Sequence, residues 1–368
     1  MSKLLRANDA LKPRFGWHAK SYNPKMASIR LRMLMPINFL RGCGMEVEPY
    51  SSEVGPQGYD VLLFSKSFSD EAVQIAREAR RLGKPVVYDI CDNLFEARVR
   101  LDTPGRLGRV REMMTLATHI TFSTEVLARQ VQSVMPEIAE KSRVVPDVIE
   151  DLAGQRQIEN SSGEQRQLAQ LERFLSSHEG ALHCVWFGKS QGKLSGFAHL
   201  GAAVRQLEVF ARSHPVTLTI ISNDRWRYWK AAFGWKLPTH YMPWSLGTFQ
   251  QSLKLHDVAI VPVERNQYTV GKTINRPATA IAAGLGVIAD SIDAYEELRP
   301  FIALDDWQEG LRRYAEKSPR EEARLEAARQ HLYRQYGTET VGQMWKTLLE
   351  QISGQWQDVA PAASRAAF

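Results

Sequence analysis

The chain has few cysteines and no long apolar segment, and these absences limit what kind of protein it can be. Three of 368 residues are cysteine, namely Cys43, Cys91 and Cys184, and they are far apart without CxxC or Cys/His spacing. This pattern predicts neither a disulfide framework nor a zinc site, and we expect reduced, buried thiols. No run approaches the roughly 18 apolar residues of a membrane-spanning helix, and the N-terminus lacks the apolar core of a signal peptide. The sequence therefore predicts a soluble, cytoplasmic protein.

The overall composition is that of an ordinary globular protein. Hydrophobic residues make up 44% and charged residues 24% of the chain, which excludes disordered and fibrous classes. A length of 368 residues is sufficient for two α/β domains, each with its own core. The formal net charge of +6 favours an anionic partner, such as a phosphorylated substrate, an acidic membrane surface or nucleic acid.

Two stretches of the chain alternate short apolar runs with helix-period segments, as parallel sheets with crossover helices do. Strands are predicted at 59–64, 85–89, 119–123, 143–146, 181–187, 216–222, 257–263 and 287–290, and a first helix at 28–40. Residues rich in Gln, Glu, Ser and Arg separate the two stretches and predict a polar connector. We expect Rossmann-like domains over 1–150 and 181–335, the connector over 151–180, and a C-terminal helix and tail over 336–368.

The most informative segment runs from Val270 to Ala289 and predicts loop, helix, tight turn and strand. A helix that begins at the carboxyl edge of a parallel sheet offers free N–H groups and a positive dipole end to a diphosphate. Lys272, Thr273 and Asn275 lie at this predicted helix start, followed by Arg276. An ordinary crossover helix with surface charges is the alternative interpretation.

Lys272, Asn275-Arg276 and the run Ala282-Ala283-Gly284-Leu285-Gly286-Val287-Ile288-Ala289 resemble the donor-site helix of GT-B glycosyltransferases related to family 4. Residues 27–32 resemble the first helix of that family, and residues 121–127 resemble its Ile-Thr-x-Ser-Thr segment. The resemblance implies two Rossmann-like domains that face each other across a cleft, with C-terminal helices. It also implies a nucleotide-sugar donor as co-substrate and no further cofactor.

The chain departs from this family at positions that normally contact the donor. Gly271 and Thr279 stand where many members carry two glutamates, and Gly286 stands where proline is usual. Glu264 lies too far upstream to replace either glutamate in register. It follows a predicted strand, where open α/β sheets place ligands, and is therefore a donor-site candidate or a solvated loop residue.

Two further predicted strand ends provide donor-site candidates. Gly188 and Lys189 follow the first strand of the second domain, and their backbone N–H groups and charge suit a diphosphate. The segment lacks the glycine that a Walker A loop needs before its Gly-Lys, which disfavours an ATPase. Asn223 ends the next strand and would lie beside the nucleotide base, with a simple turn as the alternative.

The first domain provides candidates for the acceptor side. Asp89 and Asp92 flank the end of a predicted strand at the rim of the cleft, where a carboxylate can serve as a general base. Asn93 is adjacent, and Arg98 and Arg100 open an arginine-rich segment suited to a phosphorylated or phospholipid-linked acceptor. Capping, turn and solvated-face roles are the alternatives. The spacing of the two aspartates differs from that of a metal-binding Asp-x-Asp pair, so we expect no metal site.

A basic aromatic stretch at 225–230 suits nucleic acid or a membrane surface. Trp226, Trp229 and Phe233 share helical spacing, however, and the sequence alone favours packing in the core.

Together these features predict a metal-independent glycosyltransferase that uses a nucleotide sugar. Its acceptor is expected to be a glycan or phospholipid-linked glycoconjugate, as in polysaccharide biosynthesis. A lipid-linked acceptor would bring the protein to the inner face of the membrane. The alternatives are a transferase that glycosylates a nucleic-acid base and a GT-B binding protein without catalytic activity.

Overall fold

The computed structural model describes residues 12–96, 105–150, 160–190, 194 and 196–359, the last four without their side chains. A first parallel sheet has six strands in the order β2-β1-β3-β4-β5-β6. These strands are β1 Arg14–Ala19, β2 Glu46–Pro49, β3 Val61–Ser65, β4 Val86–Ile90, β5 His119–Phe122 and β6 Ser142–Val144. Helices cover both faces of this sheet, as parallel sheets require.

The first helix lies where the sequence predicts it, and three more helices follow in the first half. Helix α1 consists of Ala27–Ile29, a π-helical stretch Arg30–Leu34 and Met35–Gly42, followed by α2 Asp70–Arg81, α3 Arg106–Leu116 and α4 Glu125–Gln132. Ser69 and Thr124 cap α2 and α4 by accepting the backbone N–H groups of Ala72 and Leu127.

A second six-stranded parallel sheet has the order β12-β11-β10-β7-β8-β9. Its strands are β7 Leu182–Phe187, β8 Val216–Ser222, β9 Thr239–Pro243, β10 Val258–Val261, β11 Gly286–Ala289 and β12 Ala303–Leu304. The accompanying helices are α5 Ser162–Ser176, α6 Leu200–Phe210, α7 Arg225–Ala232, α8 Phe249–Leu253, α9 Asn275–Ala282, α10 Trp307–Ala315 and α11 Pro319–Tyr336.

The last helix, α12 Thr338–Val359, returns to the first sheet. Trp345 packs edge-on against Trp17 of β1, with ring centroids 4.9 Å apart. Gly342 lies against Phe39 of α1 so closely that a Cβ at this glycine would be 2.3 Å from the ring. The C-terminal helix thus belongs to the core of the N-terminal half.

The structure contains four strands that the apolar pattern does not predict, namely β1, β2, β9 and β12. Strand β1 lies in the interior of its sheet, but its sequence Arg-Phe-Gly-Trp-His-Ala interrupts the apolar run. The predicted burial of Cys43 is wrong, since its side chain is exposed. The core assignment of Trp226, Trp229 and Phe233 is also wrong, because all three are exposed. The inner face of α7 is occupied by Tyr228 instead.

No helix within the described residues is long and apolar enough to span a bilayer.

Candidate active site

Loops at the carboxyl ends of the strands in both sheets meet in one cleft. The loop after β10 crosses to the first half, where its Gln267 carbonyl accepts a hydrogen bond from Asn93 Nδ2 at 2.9 Å. Thr124 Oγ1 donates to the carbonyl of Gly271 at 3.1 Å. Ligands of open α/β sheets bind at such strand ends, so this cleft is the candidate active site.

Asp92 lies at the centre of the cleft and is 7% exposed. Its carboxylate forms ion pairs with Lys66 of the first half and Lys272 of the second. The hydroxyl of Tyr268 also donates a hydrogen bond to this carboxylate at 3.2 Å. The Lys272 ammonium nitrogen lies over the Tyr268 ring, 4.0 Å from the ring centroid. One carboxylate therefore joins cations from both halves of the chain.

Lys66 has a left-handed backbone, with φ of 48°, directly after β3. Burial, followed by the repulsion of Lys272, Arg106 and Lys189, lowers its pKa, and the thiol of Cys91 acts in the opposite direction. Three lysines from separate loops and Arg106 at the start of α3 are thus close enough to affect one another, and this concentration of positive charge suits an anionic ligand. No motif marks Lys66 in the sequence, although its position shortly after a predicted strand could have identified it.

Asp89 is buried beneath the cleft, so its predicted position at the rim is wrong. It is 1% exposed and accepts a hydrogen bond from Arg32 Nε at 3.0 Å. The hydroxyls of Ser65 and Thr121 donate to it at 2.9 and 2.8 Å. Every one of these partners belongs to the first half. Asp89 therefore belongs to a buried network that stabilises the core beneath the cleft.

Asp147 connects this buried network to the second half. Its carboxylate accepts a hydrogen bond from Arg32 Nη1 at 2.7 Å. On the side of the second half it accepts hydrogen bonds from the hydroxyl of Thr273 at 3.0 Å and from the amide of Asn275. Thr273 and Asn275 are therefore engaged by a carboxylate of the opposite half. Asp147 follows β6, a position that could have identified it, whereas no local signal marks Arg32.

Arg276 lies beside the loop that follows β7. A Cβ at Gly188 would lie 3.2 Å from Arg276 Nη2, and one at Gly196 would lie 3.3 Å from it. Among the described residues no carboxylate pairs with this guanidinium, and burial lowers its pKa. Glycine at both positions leaves room for this partly buried guanidinium, and a cation of this kind favours an anion such as phosphate.

The other predicted residues have different surroundings. Lys189 is exposed next to Gly188, and Asn223 Oδ1 accepts the backbone N–H of Ser190 at 3.0 Å, which shapes this loop. Glu264 has a 77% exposed side chain, 3.9 Å from His199 Nε2.

On the first half, Asn93 directs its amide group to Gln267 and accepts the Phe95 N–H at 3.0 Å, so it organises the loop contact. Arg98 and Arg100 lie outside the described residues. The part of the chain that the structure describes contains no cluster of three His, Cys, Asp or Glu side chains that could hold a metal ion.

Comparison with known proteins identifies the fold. No protein-family model and no curated protein sequence matches the chain. Solved structures do match it, among them a UDP-forming trehalose-phosphate synthase from Burkholderia xenovorans, with a TM-score of 0.57 and 14% identity over 82% of this chain and 75% of the other.

An E. coli trehalose-6-phosphate protein bound with UDP-2-fluoro glucose matches with a TM-score of 0.55 and 12% identity, over 80% and 73% of the two chains. The synthase from Burkholderia vietnamiensis matches with a TM-score of 0.57 and 11% identity, over 79% and 74%. The chain therefore has the GT-B fold, with two Rossmann-like halves that face a common cleft and helices at the C-terminus.

Proposed function

We propose that this protein is a glycosyltransferase that takes a sugar from a nucleotide-sugar donor. The observation that carries the proposal is the convergence of cations from both halves of a GT-B fold around Asp92. The solved structures of similar fold include UDP-forming synthases and one bound with UDP-2-fluoro glucose, which supports a nucleotide-sugar donor.

The donor diphosphate would bind in the second half, between the Gly188 loop and the start of α9. Arg276 and the exposed Lys189 provide charge there, and the Arg276 guanidinium lies directly beside Gly188. Lys272 lies at the side of the cleft nearest Asp92. These cations would neutralise the leaving nucleoside diphosphate without a metal ion, as preorganised charges do in other transferases.

Asp92 would act on the acceptor. In the structure its carboxylate is bound by Lys66 and Lys272, and a diphosphate that takes over Lys272 would leave Asp92 Oδ1 with the Tyr268 hydroxyl as its remaining partner. That oxygen could accept the proton of the acceptor hydroxyl while the acceptor oxygen bonds to the sugar. The bond between sugar and phosphate breaks, and its electron pair leaves with the nucleoside diphosphate.

The acceptor is proposed to carry negative charge. Lys66 and Arg106 belong to the first half and remain on the acceptor side when Lys272 serves the donor. A sugar phosphate or a phospholipid-linked glycan has the required charge. The names of the similar synthases support a phosphorylated sugar more directly than a lipid.

The direct test is thermal unfolding of the full chain with a panel of nucleotide sugars, followed by an assay for released nucleoside diphosphate. A donor present at about 100 times its Kd should raise Tm by roughly 5–11 °C. Lys272→Ala should reduce this shift, whereas Lys254→Ala, which removes an exposed lysine of α8's C-terminal end, should not. Activity should persist in excess EDTA.

Each alternative predicts a different result. Donor binding without turnover, with any acceptor supplied, would indicate a GT-B binding protein. Glycosylation of oligonucleotides would indicate transfer to a nucleic-acid base. Complete loss of activity in EDTA, restored by Mn²⁺, would refute metal independence. No stabilisation by any nucleotide sugar would contradict the proposed function.

A further inference from the structure

Helix α7 exposes a group of large aromatic side chains. Trp226 is 72% exposed, Trp229 is 51% exposed, and Phe233, just after the helix, is 97% exposed. Their spacing of three and four residues puts them on one side of the helix. The two indole rings touch edge to face, with centroids 5.2 Å apart. A contiguous apolar surface of this kind marks an interaction site on a folded protein.

The aromatic side chains are not needed to hold the helix in place. The opposite face packs through Tyr228, which is 7% exposed and whose hydroxyl forms a hydrogen bond with Thr239 Oγ1 at 2.9 Å. Ala231 and Ala232 pack against the same core, and Asp224 caps the helix. The contacts of this inner face attach the helix to the core, and Trp226, Trp229 and Phe233 are not part of that core.

The surroundings of the aromatics are basic. Residues 225–236 include four Lys or Arg and no Asp or Glu. The exposed Arg225 lies 5.9 Å from the Trp229 ring, and Lys230 is also exposed. The neighbouring carboxylates Asp224 and Glu208 accept backbone N–H groups at 3.0 and 2.7 Å. The face therefore combines aromatic side chains with positive charge.

We propose that the outer face of α7 docks on a membrane surface that contains anionic lipid. Trp226, Trp229 and Phe233 would enter the boundary between headgroups and acyl chains, with Arg225 and Lys230 at the level of the phosphates. Trp and Phe beside Lys and Arg are typical of helices that lie in this interface. Single-stranded nucleic acid instead requires a charged groove with stacking platforms, whereas this face is the convex side of one helix.

The proposal is independent of the transferase function. The position of α7 has a consequence for the cleft, however, because only Asn223 and Asp224 separate this helix from the carboxyl end of β8. A protein docked through α7 would hold that edge of the second sheet near the lipid surface. A membrane-bound substrate could then reach the cleft without leaving the bilayer.

The test is co-sedimentation of the full chain with phosphatidylcholine vesicles, with and without phosphatidylglycerol. The chain should bind the anionic vesicles more strongly. Trp226→Ser/Trp229→Ser/Phe233→Ser should weaken this binding by about tenfold or more. Arg225→Gln/Lys230→Gln should weaken it by about fivefold per charge, whereas the matched pair Arg166→Gln/Arg173→Gln on exposed positions of α5 should not.

Circular dichroism and thermal unfolding should show all variants to be folded, since the altered side chains are exposed. Absence of vesicle binding, or wild-type binding by the triple aromatic variant, would overturn the proposal. It would also be overturned if the aromatic face bound only labelled oligonucleotides. The same holds if light scattering showed a dimer that the triple variant loses and vesicles were not bound.

Discussion

Arg32→Met should strongly destabilise the first half of the molecule. The Arg32 side chain is 1% exposed and binds the carboxylates of Asp89 and Asp147. It also donates to the carbonyl of Val145 at 3.0 Å. Methionine matches the length of the aliphatic stem but provides no donor, so two buried carboxylates would lose their cation.

The magnitude follows from the cost of leaving buried charge unpaired. Removal of one partner from a buried ion pair typically costs about 3–5 kcal/mol. At about 2–4 °C per kcal/mol for domains of this size, Tm should fall by roughly 6–20 °C. Asp147 also binds Thr273 and Asn275, so the contact between the halves should loosen as well.

The assay is thermal and urea unfolding, with Arg166→Met as a matched control because Arg166 is exposed on α5. The control should unfold within about 0.5 kcal/mol of the wild type, as surface changes usually do. If Arg32→Met lost no more stability than the control, the buried network around Arg32 would not stabilise the fold.

Three further predictions concern the site, the C-terminal helix and pH. Asp92→Asn should abolish sugar transfer and leave the Tm shift by donor intact; loss of donor binding with an intact fold would place Asp92 on the donor side. In α12, Gly342→Ala should be less stable than Gly354→Ala by about 1–3 kcal/mol in urea unfolding, because a Cβ meets a ring at the first position and open space at the second; equal stabilities would contradict the close packing. Burial lowers the pKa of His256 to about 4. As pH falls from 6.5 towards 4, the imidazole is therefore protonated in the unfolded chain but still neutral in the folded one. The free energy of unfolding should fall over this range by up to about 1.4 kcal/mol per pH unit. His256→Gln should flatten that slope in urea titrations at several pH values, and an unchanged slope would rule out His256 as its source.

The fold class could be predicted because its signals are local. Apolar runs of four to seven residues form the buried strands, and capping residues such as Ser69 mark helix starts. Strand β1 was not predicted because its arginine, glycine and histidine break the apolar run. Its interior position depends on backbone pairing with β2 and β3, which the side-chain pattern does not reveal. Edge strands such as β9 are partly exposed, so their pattern is weak.

The candidate site was predicted only in outline. The candidates chosen at strand ends include Asp92, Lys272 and Arg276, which lie in or beside the loops that meet at the cleft. The sequence could not separate Asp92 from Asp89, since both belong to one short segment. The difference arises because Asp89 lies within β4 and meets Arg32, 57 residues earlier in the chain, whereas Asp92 follows the strand.

Local patterns in the chain thus determine the buried strands with uninterrupted apolar runs and the capped helices, because periodicity, capping and turns act over a few residues. They also establish that Trp226, Trp229 and Phe233 share a helix face. Whether such a face points inward depends on which side chains the distant strands accept, and here Tyr228 takes the inner position. Ion pairs such as Lys66–Asp92–Lys272 likewise exist only where the two sheets bring their loops together, so tertiary structure alone determines them.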